Sequence, residues 1–409
     1  MKAKNMAIVR LLAATIAFAS SLVCPGAETN FFFARGSAGQ VLRSIGVNTN
    51  GPAKEIWYAG EQDGQAALFR LVGTNFSTTN LAELVQGETY VYSISRDAQS
   101  VVGISGDEGV LWNVSSPGTA LGLGKLPGDT TSDAHGVSVG PTPTVVGASD
   151  VGAFVWTAAS GIQPFANPPG HGGPRLIAIS TDGQTLVGYA SSALTSVDPF
   201  IYQGGVTTFL DEDGGHISAA ITVSPNGNVV GGYIDNQGSI WNAGTPLRLT
   251  LNGNSVGRVL GVSDNGFAVG STAAGGYIYD PRTGITSLFD SWWELQTGNA
   301  TPVHVTSVND VYWDGEMLYF ALSGSSEGAA AGLAMFPLPN LALALLPSGQ
   351  IELRWPTNQN GIVESTPGLM PPAWLPLTNP VPTQSNGQFV LTLPATNSAT
   401  FFRLQFTSP

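Results

Sequence analysis

The sequence predicts an all-β fold: a seven-bladed β-propeller, with six to eight blades as the range, followed by a small β-sandwich. Three observations lead there. A hairpin motif returns about every 40 residues along most of the chain. Strand-length apolar runs alternate with turns built on Gly, Pro, Asn and Asp. The 409 residues include 52 Gly and 27 Pro yet are 43% hydrophobic and only 11% charged, which suits many short buried strands better than disorder.

The first 27 residues read as an export signal. Lys2, Lys4 and Arg10 form a positive start and Leu11 to Val23 an apolar stretch too short to span a bilayer well. Cleavage is expected after Ala19 or near Ala27. Cys24 is the sole cysteine, and bulky Val23 before it argues for simple export over a lipid anchor. Removing those three cations from 15 leaves 12 Lys and Arg against 28 Asp and Glu, a net of about −16. Nucleic acid is thereby an unsuitable partner, since phosphate binding needs a basic footprint. No transmembrane segment, no resident cofactor and a monomer are expected.

Residues 28–339 carry the repeat. Its clearest copy is Ile177-Ala-Ile-Ser-Thr-Asp-Gly-Gln-Thr-Leu-Val-Gly188, two alternating strands about an Asp-Gly turn. The closing glycine recurs in Trp57-Tyr-Ala-Gly60, Val101-Val-Gly103, Val145-Val-Gly147, Leu186-Val-Gly188, Val229-Val-Gly231 and Ala268-Val-Gly270. A small residue or Asn and a turn precede each, as in Ser95-Arg-Asp-Ala98, Ser180-Thr-Asp-Gly183, Ser224-Pro-Asn-Gly227 and Ser263-Asp-Asn-Gly266. An apolar triplet ending in an aromatic follows, such as Val110-Leu-Trp112 or Phe154-Val-Trp156, and often a fourth short strand. Four strands in about 40 residues is the size of one blade. A seventh, degenerate unit fits Val303 to Phe336 and lacks its fourth strand. Phe31-Phe-Phe-Ala-Arg35 is expected to supply that strand and hide the seam, because an open edge invites aggregation.

Beyond Pro339 the period breaks. Residues 341–346, 350–355, 361–365, 374–377, 388–393 and 401–406 read as six short strands, a small β-sandwich over 340–409.

The succession of a small-residue strand, Ser-x-Asp-Gly, Val-Val-Gly, Phe-x-Trp and Gly-x-x-x-Leu resembles the HAF repeats of exported bacterial proteins. The likeness covers roughly residues 41–336. The His-Ala-Phe triplet itself is absent; Gly152-Ala-Phe154 is nearest. The resemblance implies an exported propeller-like protein and brings no catalytic residues. Leu353-Arg-Trp-Pro356, Glu364-Ser365, Trp374 and Phe401-Phe-Arg-Leu404 resemble the terminal module of many secreted bacterial proteins.

Candidate ligand-binding residues concentrate in the links between units and between second and third strands, which share one face of a propeller. They are His135, His171, Asp211, Asp213, His216, Trp292, Trp293 and His304. No spacing matches a metal site, and for any one of these residues a solvated polar turn is the leading alternative. Asp211-Glu212-Asp213 has the chemistry for Ca²⁺, but an exposed acidic turn fits it better. A glycosidase-type carboxylate pair would come from Asp129, Asp133, Asp211 and Asp213, and no spacing selects one. Trp292-Trp293 is the aromatic pair suited to stacking on a sugar, against the alternative that both cap a hydrophobic edge. Asp182 and its counterparts read as turn formers. The expectation is a non-catalytic binding or cell-surface interaction protein taking a glycan or a protein ligand. A polysaccharide lyase or glycosidase and a structural envelope component are the alternatives.

Overall fold

The computed structural model describes residues 30–34, 41–51, 54–72, 75–192, 196–210, 216–242, 246–326, 328–337, 342–346, 348–356, 361–367, 375–385, 388–394 and 400–406. Seven four-stranded antiparallel sheets occupy the described residues between 30 and 337. The first unit is Val41–Asn48, Glu55–Gln62, Gln65–Val72 and Asn75–Asn80. The second is Thr89–Ile94, Ser100–Ser105, Glu108–Asn113 and Ser116–Gly122. The third is Ser132–Val137, Val145–Ser149, Ala153–Thr157 and Gly161–Pro164. The fourth is His171–Ile179, Thr185–Ser192, Val197–Gln203 and Val206–Phe209. The fifth is Ser218–Val223, Val230–Ile234, Gln237–Trp241 and Leu247–Arg248. The sixth is Val259–Val262, Ala268–Thr272, Gly275–Asp280 and Ile285–Leu288.

The seventh unit is built from both ends of this region. Its strands His304–Trp313, Met317–Ser326 and Gly328–Pro337 are joined by Asn30–Ala34, which pairs antiparallel with Gly328–Pro337, Phe32 opposite Leu333. The N-terminal strand thus takes the place expected of it, apart from Arg35, which lies outside the described residues.

The inner strand of each unit touches the inner strand of the next, and that of the seventh touches that of the first. The apolar cores sit between sheets, not within them. Leu68 of the first unit buries with Val91 and Trp112 of the second. Val146 of the third packs with Leu176 and Phe200 of the fourth, and Val187 of the fourth with Val223 and Trp241 of the fifth. Tyr319 and Leu333 of the seventh pack with Leu42 and Phe69 of the first, which closes the cycle. A single unit has no core of its own, so its stability depends on its neighbours.

The turns after the inner strands hold that cycle by hydrogen bonds. In four of them a buried serine organises the loop: Ser180 Oγ donates to Asp182 at 2.5 Å and accepts from the Thr185 amide at 3.0 Å. Ser95, Ser224 and Ser263 repeat both bonds with Asp97, Asn226 and Asn265. Gly183 sits at φ 74°, where a side chain would strain the turn. Between units, Val47 N donates to Arg96 O, Gly140 N to Asp97 Oδ2, Val139 N to Thr181 O, Thr181 N to Pro225 O and Asn226 N to Asp264 Oδ1, all at 2.8–3.0 Å. Asp182 is a turn former, as its sequence context implies.

One α-helix lies in the link between the sixth and seventh units, Phe289–Thr297, ended by Gly298 in the left-handed region. The sequence pattern does not anticipate it, because nine residues give too few turns to establish a period. Beyond 340, a four-stranded sheet (Ala342–Leu345, Gln350–Pro356, Gln388–Pro394, Thr383–Ser385) accompanies a three-stranded one (Leu375–Pro376, Gly361–Thr366, Phe401–Phe406). Both contribute to one core: Leu353, Trp355 and Leu391 from the first, Val363 and Phe402 from the second.

Candidate functional site

The recurrent glycine has a sharper role than closing a hairpin. In every unit the inner strand carries a β-bulge opposite it, so one residue has no partner across the ladder. The bulge drives a backbone carbonyl against the second strand. A Cβ on Gly60, Gly103, Gly147, Gly188, Gly232 or Gly270 would lie 1.8–2.2 Å from that oxygen, a distance no side chain tolerates. In the fifth unit the glycine in this position is Gly232, one residue beyond the Gly231 that the sequence motif suggests.

The bulged residues are Arg43, Tyr92, His135, Ile177, Ile221 and Leu260 in the first six units, with Thr306 in the seventh. A bulge re-aims its side chain, here toward the centre of the cycle. The first six line a central cavity of about 110 Å³ together with Asn309 and Asp310 of the seventh unit. The cavity admits several water molecules or one small group. Its wall is split. Arg43, Tyr92 and His135 come from three consecutive units and form a polar arc; Ile177, Ile221 and Leu260 come from the next three and form an apolar one.

His135 is the best-defined member of the polar arc. Its ring meets Tyr92 edge to face, with centroids 4.9 Å apart. Its Nδ1 lies 3.0 Å from the Leu176 carbonyl. A carbonyl only accepts, so Nδ1 carries the proton and Nε2 offers a lone pair. Nε2 makes no hydrogen bond within the described residues and is not a sealed polar atom, so it opens on the cavity. Burial pushes the imidazole below its ordinary pKa, and the Arg175 charge adds to this against the Leu176 bond and Asp133. The ring is therefore neutral at pH 7. Arg43 Nε is held by both oxygens of Glu61 at 2.7 and 2.9 Å. Burial raises the Tyr92 phenol, with Asp133 adding and Arg43 opposing, so it stays protonated.

The other histidines do not converge on this cavity. His171 Nε2 bonds Asp198 at 2.8 Å while the ring stacks on Phe209. His216 Nδ1 meets Asp235 Oδ2 at 2.5 Å, and His304 Nδ1 meets Asp290 Oδ2 at 2.7 Å. His171 and Asp198 stand on the first and third strands of the fourth unit, whereas the His216–Asp235 pair clamps a link to the turn between second and third strands of the fifth. Asp150 does the same in the third unit, accepting from Thr130 and Thr131. Its carboxyl is held down to about 2 by those bonds. Of the four carboxylates weighed as a pair, Asp129 accepts from Ser149 and Asp133 lies near His135, while Asp211 and Asp213 fall outside the described residues. Among the described residues no group of His, Cys, Asp and Glu is arranged to hold a metal ion.

Trp292 and Trp293 are corrected outright. Both are 3% exposed, on the helix Phe289–Thr297, packed against Phe289 and Phe336. Trp292 Nε1 donates to Asp280 at 3.1 Å. Helical spacing turns both rings into the gap between sixth and seventh units, so neither offers a face to a ligand.

Sequence reading missed Arg43, Tyr92, Ile177, Ile221 and Leu260. A signal for them exists. In the second to sixth units the bulged residue stands three positions before the turn serine (Tyr92 and Ser95, Ile177 and Ser180). Recognising it required knowing that this position leaves the ladder.

No family model matches the chain, and no curated protein matches its sequence. Among solved structures it is similar to the extracellular domain of a one-component system from B. thetaiotaomicron, at 12% identity and a TM-score of 0.47 over 82% of this chain and 45% of that one. It is similar to a streptogramin B lyase at 10% identity and 0.47, over 76% of this chain and 98% of that one. TolB from Acinetobacter baumannii follows at 13% and 0.38, over 74% and 64%. The chain spans under half of the first protein and just under two thirds of the third. No helix among the described residues is long and apolar enough to cross a membrane.

Proposed function

We propose that the chain is an exported, non-catalytic binding or cell-surface interaction protein. In this reading residues 28–339 are a seven-bladed β-propeller of the HAF-repeat kind and 340–409 a small β-sandwich. The ligand, a glycan or a protein, inserts one projecting group into the central channel. The observation that supports this is the ring of bulged side chains: backbone geometry repeats from unit to unit while the residue it aims inward differs. Variation at a position of constant geometry is what a specificity surface requires. The histidines at 171, 216 and 304 are paired with carboxylates, whereas His135 in the channel bonds through Nδ1 alone among the described residues.

Glycan and peptide arrays probed with the mature chain test it. The expected result is a retained ligand whose signal falls in Tyr92→Ala or His135→Ala. Silence on both arrays, or binding indifferent to both substitutions, overturns it.

One observation favours a second, catalytic reading. A neutral imidazole with a free Nε2 beside a protonated phenol is a base and acid pair in one cavity. Release of unsaturated or shortened products from an array-positive polysaccharide, abolished in His135→Ala, would replace the non-catalytic reading.

A further inference from the structure

We propose that the channel seats the end of a neutral glycan: a terminal pyranose with its C–H face on Ile177, Ile221 and Leu260 and its hydroxyl edge on Arg43, Tyr92 and His135. The inference rests on the binding reading above and narrows its ligand.

Three features of the cavity carry it. The first is the division of the wall. At the bulge position three consecutive units present aliphatic side chains, with Thr181 and Thr222 beside them, and the three on the other side present hydrogen-bonding ones. A group seated against the bulged residues meets apolar surface on one side and hydrogen-bonding groups along the other, which suits a pyranose. A purely aliphatic group would leave the polar arc desolvated and unpaired, at a cost comparable to the hydrogen bonds lost.

The second is charge balance. Two cations line the cavity and both are paired: Arg43 Nε is bound by Glu61, and Arg96 by the lining carboxylate Asp310. Asp133 and Arg175 oppose each other around His135, which is itself neutral. An anionic ligand therefore meets the Asp310 carboxylate along with the two arginines, and a cationic one meets Arg43 and Arg96. Neither sign is favoured.

The third is donor and acceptor matching. The Tyr92 hydroxyl both donates and accepts. His135 Nε2 only accepts, because Nδ1 donates to Leu176. The Arg43 terminal nitrogens only donate. A hydroxyl group, which donates and accepts, satisfies any of the three. Tyrosine is the protein side chain with comparable amphipathy, so it is the natural competing ligand.

The experiment titrates the mature protein with methyl glycosides of glucose, galactose and mannose. Glucuronic acid, N-acetyltyrosine amide and a tyrosine-rich peptide array run in parallel, by calorimetry and ligand-observed NMR. At least one neutral methyl glycoside is expected to bind. Tyr92→Phe and Ile221→Ala are each expected to weaken it about three- to tenfold, the loss of one hydrogen bond or of part of an apolar contact. Unchanged melting temperatures of the two variants would show that the loss is not unfolding; were Ile221→Ala unstable, Ile221→Val serves. Three results overturn the inference while leaving the binding reading in place: glucuronic acid alone binds; tyrosine ligands bind and glycosides do not; or glycoside affinity ignores both substitutions. Silence from every probe on both arrays removes the inference and the reading together.

Discussion

Arg96 and Asp310 join the second unit to the seventh across 214 positions of sequence. Arg96 Nη1 and Nη2 donate to the two Asp310 oxygens at 2.7 and 3.0 Å, and the guanidinium also reaches the Ile45 carbonyl at 2.8 Å. Asp310 in turn accepts the Ile45 and Val311 amides at 3.0 and 2.8 Å. The pair is mostly buried, with side chains 16% and 6% exposed. It therefore staples three units at the point where the cycle closes.

Removing one partner should be costly. Asp310→Ala leaves the buried Arg96 charge without its carboxylate and the Ile45 and Val311 amides without that acceptor, and is expected to destabilise by about 3–5 kcal/mol. The double variant Arg96→Met/Asp310→Ala should recover part of that loss. Denaturant unfolding of the three proteins checks both statements.

The bulge glycines admit a sharp comparison. Gly188→Ala places a Cβ 1.8 Å from the Arg175 carbonyl oxygen, whereas Gly118 has open space around it. Gly188→Ala should cost about 3 kcal/mol or more, since backbone must move, while Gly118→Ala stays within about 0.5 kcal/mol. Melting temperatures of the two variants decide it.

Ser180 is fully buried and bridges its own turn. Ser180→Ala strands the buried Thr185 amide, an expected loss of about 1–3 kcal/mol. Unfolding midpoints provide the measurement.

The N-terminal strand should behave as a seal. Deleting residues 28–34 exposes the backbone edge of Gly328–Pro337. Greater concentration-dependent aggregation in size-exclusion chromatography is expected, with the repeat strands retained by circular dichroism.

His135 gives the protein an acid limb. Its folded pKa is lowered, so between that value and the ordinary histidine range near 6.5 the unfolded chain binds more protons. Stability is then full above about pH 6.5 and declines as pH falls toward the folded value. Protonation also turns Nε2 from acceptor to donor, so channel binding should weaken over the same window. In His135→Gln both pH dependences should flatten; NMR titration of the imidazole locates the window.

Much of the architecture was legible because it is local. Alternating apolar residues about Asp-Gly and Asn-Gly turns specify a hairpin whatever surrounds it, and recurrence of the hairpin specifies a repeat with no core of its own. The unpaired third strand of the last unit even pointed to the segment Phe31 to Arg35, and the strand that pairs there is Asn30–Ala34. The site was not legible in the same way. The histidines drew attention as unusual residue types, yet His171, His216 and His304 are paired with Asp198, Asp235 and Asp290. Trp292 and Trp293 look like a stacking pair in a line of text and become core once a helix turns them inward.

By itself the sequence determined the all-β character, the hairpin period, the turn chemistry at Ser180 and Asp182, and the strand that completes the last sheet. Each follows from residues near one another in the chain or from an edge that must be covered. Only the tertiary structure decided which side chains share the centre. Arg43, Tyr92, His135, Ile177, Ile221 and Leu260 are spread over more than two hundred positions and meet because each stands on a bulge at the same height in its own unit. The physical reason is that a bulge costs one ladder pairing and one close backbone contact, which glycine alone accommodates. The repeated glycine therefore marks where the fold turns a residue inward, and the neighbouring units decide what that residue faces.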